Sequence, residues 1–198
     1  MSGGELREVR HYLVIDLEAT TDDGDDDARA VPRDEMETIE IGAVLVRANT
    51  LAVEAEFQTF VRPVRHPVLT PFCTELTGIT QTMLAGAPAF PEAMGALRQA
   101  MLAGRWGVVW GSWGLFDDTQ LRRDCAFHGL HYPMPEHLNL KNVFSAAQGR
   151  RKRYGMAKAL HLCGLPLVGA HHRALDDAKN IAQLLPWIVG GARLESGS

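Results

Sequence analysis

The sequence is short of the features that most readily assign a chain. Its 198 residues include three cysteines, Cys73, Cys125 and Cys163. They form no C-x-x-C pair, so neither a zinc knuckle nor a disulfide framework is suggested. No apolar run is long enough to span a bilayer, and the opening residues, Met1 to Arg7, lack the apolar core of a signal peptide. These absences predict a cytoplasmic protein with no membrane partner. An excess of basic charge is missing too: the net charge is −4, which on its face speaks against a polyanionic partner. That deficit is local. Residues 22–35 hold seven acids against two arginines, a net of −5, so the rest of the chain sums to +1. The same stretch has no periodicity and lacks the ligand spacing of a calcium loop, so it reads as solvated loop.

What the chain does have is a hydrophobic fraction of 46%, enough at this length for one domain with a substantial core. Three strands open it, at 11–18, 38–46 and 53–61, and they read as an antiparallel meander. Pro63, Pro67 and Pro71 then mark an irregular connection. A helix at 90–103, a strand at 107–111 and a helix at 116–128 follow. A short strand at 137–141 leads into helices at 142–148 and 156–163. The last helix spans 174–189, with Pro186 kinking it or ending its regular part. Residues 1–10 and 190–198 are expected to be flexible ends of a single domain at 11–189. The order predicts an α/β fold: a mixed five-stranded sheet, antiparallel first and parallel after, flanked by helices.

Asp16-Leu17-Glu18 closes the apolar run of the first strand. Alternate residues of a strand share a face, so the two carboxylates project side by side. Such a pair repels; a proton or a cation between them relieves the repulsion, and Mg²⁺ suits oxygen ligands. Alone, such a pair is more often just a strand that ends in solvent with two acidic residues. Helix phase finds further acids. In the last helix Asp177 shares a face with Ile181, Leu184 and Ile188, whereas Asp176, Asn180 and Gln183 fall on a second face, Asp176 toward water. Asp177 therefore stands at the edge of a core, where a carboxylate is paired, protonated or metal-bound. In the helix at 116–128, Asp117 shares its face with Leu121 and Cys125, while Asp118 and Arg122 form a surface i, i+4 pair. His172 lies five residues before Asp177, suited by its ordinary pKa to take a proton from a water.

Together these residues resemble the DEDDh 3′→5′ exonucleases of ribonuclease H-like fold. The D-x-E element stands as Asp16-Leu17-Glu18, the middle acid as Asp117, and the final H-x-x-x-x-D as His172 to Asp177. The similarity is closest to the histone-mRNA 3′-exonuclease and enhanced-RNA-interference branch. It is carried by Ile15 to Thr20, by Phe72 to Gln81 and by His172 to Ala182. The resemblance implies two divalent ions, Mg²⁺ or Mn²⁺, held by Asp16, Glu18, Asp117 and Asp177, with His172 as general base. It further implies release of nucleoside 5′-monophosphates from a single-stranded 3′ end, RNA rather than DNA. Ala19 and Thr20 by backbone contact, with Leu76, Ile79 and Trp113, are candidate walls for the terminal nucleotide. Arg150, Arg151, Lys152 and Arg153 form the basic cluster that could hold the strand upstream. A DNA or short-oligonucleotide exonuclease uses the same chemistry, and a catalytically silent binding module could keep the same fold.

Overall fold

A computed structural model describes residues 8–25 and 29–194. Residues 1–7 and 195–198 of the ends expected to be flexible (1–10 and 190–198), and Asp26 to Ala28 of the acidic loop, lie outside the described residues. Five strands form one sheet in the order β3-β2-β1-β4-β5. β1 (His11–Ala19), β2 (Thr38–Arg47) and β3 (Val53–Phe60) are antiparallel, while β4 (Val108–Ser112) and β5 (His137–Asn139) run parallel to β1. The mixed sheet expected from the sequence is therefore present.

The central strand explains how both faces are covered. On β1, Leu13, Ile15 and Leu17 pack with Leu97 and Met101 of α3 (Phe90–Met101) and Leu121 of α4 (Phe116–Phe127). Val14 turns the other way, toward Phe144 of α5 (Leu140–Ala147), Leu160 of α6 (Met156–Leu162) and Ile181 of α7 (Ala174–Gln183). Strand alternation puts Asp16 and Glu18 on this second face, beneath α7. Each such Ile or Leu contributes about 1.5–3 kcal/mol by leaving water.

β2 brings α7 close. In the register Asp16 faces Gly42 and Glu18 faces Glu40. A Cβ added at Gly42 would lie 2.1 Å from the Ala174 carbonyl carbon and 2.2 Å from the Leu175 nitrogen. Only glycine lets the first turn of α7 rest on the sheet there. Gly42→Ala is expected to cost at least the upper part of about 1–3 kcal/mol typical of overpacking, because the clash is with backbone. Urea unfolding checks it, and an unchanged midpoint would show that α7 can retreat freely.

Several boundaries differ from expectation, each for a local reason. The proline-marked connection contains a helix, α1 (Pro71–Thr77). Thr70 caps it by accepting from the Cys73 amide at 3.0 Å, Pro71 occupies the first turn, and Gly78 closes it at φ 69°. Proline at that position needs no amide partner, so it starts a helix rather than interrupting one. A short α2 (Gln81–Leu84) follows Thr80. α5 begins at Leu140 because the Asn139 side chain caps it, accepting from the Asn142 amide, so Lys141 is helical. The last helix divides at Leu184 into α7 and α8 (Leu185–Ile188), which holds Pro186.

The described parts of the two expected free ends are tied down. The Arg10 amide donates to Gly107. Gln148 receives the Leu194 amide and donates to the carbonyls of Trp187 and Ala192. Among the described residues no helix is long and apolar enough to cross a membrane.

Candidate active site

The acids selected from the sequence converge where β1 passes beneath the start of α7. Carboxylate oxygens of Asp16, Glu18 and Asp177 all lie within 4.8 Å of one another. Glu18 and Asp177 are buried and Asp16 is half-buried. Asp117, buried in the first turn of α4, is not in that tightest group, but its charge acts on both Asp16 and Glu18. One of its oxygens accepts the Leu17 amide at 3.0 Å, which fixes α4 against the D-x-E segment.

This much negative charge in a dry place is unfavourable. Burial, then Asp177, Glu40 and Asp117, push the Glu18 carboxyl up to about 8, with Arg173 opposing. Burial and the charges of Asp117, Glu18, Asp177 and Glu40 hold Asp16 well above the usual carboxylate range. Burial pushes Asp117 to about 6, moderated by hydrogen bonds from Ser112 and the Leu17 amide and by the Lys141 charge. A set of oxygen-only donors with such shifted protonation fits divalent cations that prefer carboxylate, because the cation replaces the protons.

The histidine pair sits against Asp177. The His171 ring nitrogen Nδ1 is 2.9 Å from Asp177 Oδ2, and the His172 backbone amide donates to the same oxygen at 3.0 Å. The two rings stack at 4.0 Å between centroids. His172 adopts φ 64°, a left-handed conformation uncommon outside glycine. Burial and the neighbouring His171 lower its pKa, with Asp177 opposing. The sequence favours His172 over its neighbour; ring nitrogens of both histidines and an Asp177 oxygen lie within 4.8 Å of one another, but the ring hydrogen-bonded to Asp177 is that of His171, and His172 meets the acid through its main-chain amide.

The proposed nucleotide walls divide. Ile79 has no exposed surface and packs on Ile39, Cys73 and Leu84, so its side chain fills a satellite core rather than a pocket wall. The Thr20 amide donates to the Glu37 carbonyl at 2.8 Å and its hydroxyl receives the Glu37 amide. Ala19 is buried and its carbonyl receives the Cys73 thiol. Leu76 is exposed. Trp113 is half-buried against Phe144, and its indole N–H donates to the Tyr154 carbonyl at 3.0 Å. That bond seats the end of the basic loop beside the turn leading to Asp117. Arg151, Lys152 and Arg153 are exposed there and Arg150 is half-buried.

Two positions escaped sequence reasoning. Glu40, 1% exposed, makes a forked pair with Arg173, each bond 3.1 Å, and also receives the Ala174 amide and the Gln58 side chain. It ties the start of α7 to β2. An acid inside an otherwise apolar strand was the available signal. Lys141, misplaced in a strand by sequence, lends its charge to Asp117.

Known proteins share this fold. The chain is 32% identical to human ERI1 exoribonuclease 3 over 189 residues, 88% of this chain and 52% of the relative. The chain thus spans about half the length of that curated relative. Among solved structures it resembles the nuclease domain of 3′hExo, a DEDDh family member bound to rAMP, at TM-score 0.78 and 26% identity, covering 95% of this chain and 97% of that one. A 3′-exonuclease described in 3′-end-specific recognition of the histone mRNA stem-loop superposes at TM-score 0.77 with 27% identity, covering 89% of this chain and 80% of that one. The exonuclease family model (RNase_T) matches residues 13–185, a span that holds all four acids and both histidines. The chain belongs to the exonuclease family.

Proposed function

We propose that this chain is a divalent-metal-dependent 3′→5′ exonuclease that releases nucleoside 5′-monophosphates from single-stranded RNA 3′ ends. The observation that carries it is the group of Asp16, Glu18 and Asp177, three mutually repelling carboxylates within 4.8 Å. Asp16, Glu18, Asp177 and Asp117 are the residues that would hold two ions, Mg²⁺ or Mn²⁺. When bound, such ions supply charge neutralisation at the scissile phosphate and a more acidic water. The protein supplies the rest. The Leu17 amide fixes Asp117 and the His172 amide fixes Asp177, so both acids are oriented before substrate arrives. His172, held neutral at physiological pH by its lowered pKa, accepts the proton of the attacking water. RNA is favoured over DNA because the relatives at this identity are exoribonucleases.

The test uses 3′-labelled single-stranded RNA and DNA of equal sequence, with Mg²⁺, Mn²⁺ or EDTA. RNA is expected to shorten from its 3′ end with mononucleotide release, and EDTA and Asp177→Asn to stop it. Equal rates on DNA would remove the RNA preference alone. No release from either polymer would leave a binding module.

The basic loop carries a separate expectation. Neutralising Arg150, Arg151, Lys152 and Arg153 together should weaken binding and flatten its salt dependence by about 0.7 log units per decade of salt for each lost phosphate contact. Fluorescence anisotropy on labelled RNA at several salt concentrations measures this, and an unchanged slope would remove the loop from the binding surface.

A further inference from the structure

The face of α7 that carries Asp176, expected toward water, is partly covered by another segment. Asn180 is fully buried and grips Val168 at both ends: its Oδ1 accepts the Val168 amide at 2.9 Å, and its Nδ2 donates to the Val168 carbonyl at 2.8 Å. Gln183 donates to the same Oδ1 at 3.1 Å. One turn earlier, Asp176 is half-buried and accepts the Ala170 amide at 2.9 Å. Between these clamps Gly169 adopts φ +73°, and a Cβ there would lie 2.3 Å from the Asp176 carboxylate carbon. The backbone therefore lies flush against that carboxylate. Two residues on, the chain reaches His171 and His172, and the His172 amide meets Asp177.

We infer that Asp176 and Asn180 are positioning residues: the second polar face of α7 holds residues 168–170 and thereby places the histidine segment against the acid cluster. The same helix supplies Asp177 to the cluster from one face and sets the histidines from the other. Neither Asp176 nor Asn180 is assigned contact with substrate. Toward the loop, what Asp176 provides is a hydrogen-bond acceptor, and an amide oxygen can do that as well as a carboxylate. The inference rests on the proposed role of His172.

The experiment compares Asp176→Leu, Asp176→Asn, Gly169→Ala and His172→Ala with the parent chain, by steady-state kinetics on single-stranded RNA and by amide hydrogen exchange. Asp176→Leu is expected to lower kcat by about 10²-fold, the scale of a misplacement near 1 Å, with KM unchanged. It should speed exchange at residues 168–172 while the rest of α7 stays protected, which separates a released segment from an unfolded protein. Asp176→Asn should restore both readouts. Gly169→Ala, which leaves α7 unaltered, should repeat the loss in milder form. Parent-like kcat and exchange in Asp176→Leu would overturn the inference, as would an Asp176→Asn as impaired as the leucine variant. If His172→Ala is itself fully active, the general-base reading fails, and the inference falls with it for that separate reason.

Discussion

Glu18→Gln is expected to abolish cleavage and, in the same protein freed of metal, to raise the melting temperature at alkaline pH. The two effects have one cause. The Glu18 carboxyl is pushed from its ordinary 4.5 to about 8 by burial and by Asp177, Glu40 and Asp117. Between those values the folded chain keeps a proton that the unfolded chain gives up, so stability is full below about 4.5 and is lost as pH rises through about 8. Each pH unit crossed between them removes roughly 1.4 kcal/mol, so the loss reaches a few kcal/mol above pH 8. Glutamine cannot ionise and escapes that loss, but it also cannot give a carboxylate to a cation. Melting curves in EDTA at pH 5 and pH 9 should converge for the variant more than for the parent. Divalent ions should raise the parent's melting temperature most at the higher pH, because they bind the charged form. A parent stability that is flat with pH, or a variant as steep as the parent, would mean that the charge is relieved in another way.

Arg173→Ala should be the most destabilising single change at the junction of α7 with the sheet. Glu40 is almost wholly buried, and the forked pair with Arg173 supplies its countercharge. Without the guanidinium, the carboxylate keeps only the Gln58 side chain and the Ala174 amide. Breaking a buried pair from one side costs about 3–5 kcal/mol. Removing both charges, as Glu40→Gln with Arg173→Met, should recover much of that cost, because no uncompensated charge remains. Denaturant unfolding of the single and double variants measures the coupling. A loss below about 1 kcal/mol for Arg173→Ala would class the pair with exposed bridges. The damage should extend to turnover, since α7 carries Asp177 and its N-terminal turn follows directly on the histidines.

Much of the candidate site was legible because the information is local. Alternation in β1 put Asp16 and Glu18 on one side, and helix phase put Asp177 with Ile181, Leu184 and Ile188, all buried. Asp117 followed from its phase with Leu121 and Cys125, also buried. The same reasoning failed on the other face of α7. It can say that Asp176 and Asn180 point away from the main core, but not that another segment lies there. The loop at 168–170 covers that face through a contact the helix cannot foretell. Glu40 was overlooked for a related reason: a carboxylate in an apolar strand is intelligible only when Arg173, far along the chain, is known to reach it. Ile79 looked like a pocket wall because an exposed and a buried isoleucine are the same letter.

The sequence by itself determined the central strand, the pair of acids at its end, and which turns of which helices could carry further acids inward. Those follow from periods of 2 and 3.6 residues, which need no knowledge of distant neighbours. Tertiary structure alone decided that the acids meet within 4.8 Å, that Gly42 admits α7 onto the sheet, and that His171 rather than His172 lays its ring on Asp177. Each of these is a contact between segments far apart in sequence or a choice between adjacent rings, and packing of the whole chain is what fixes it.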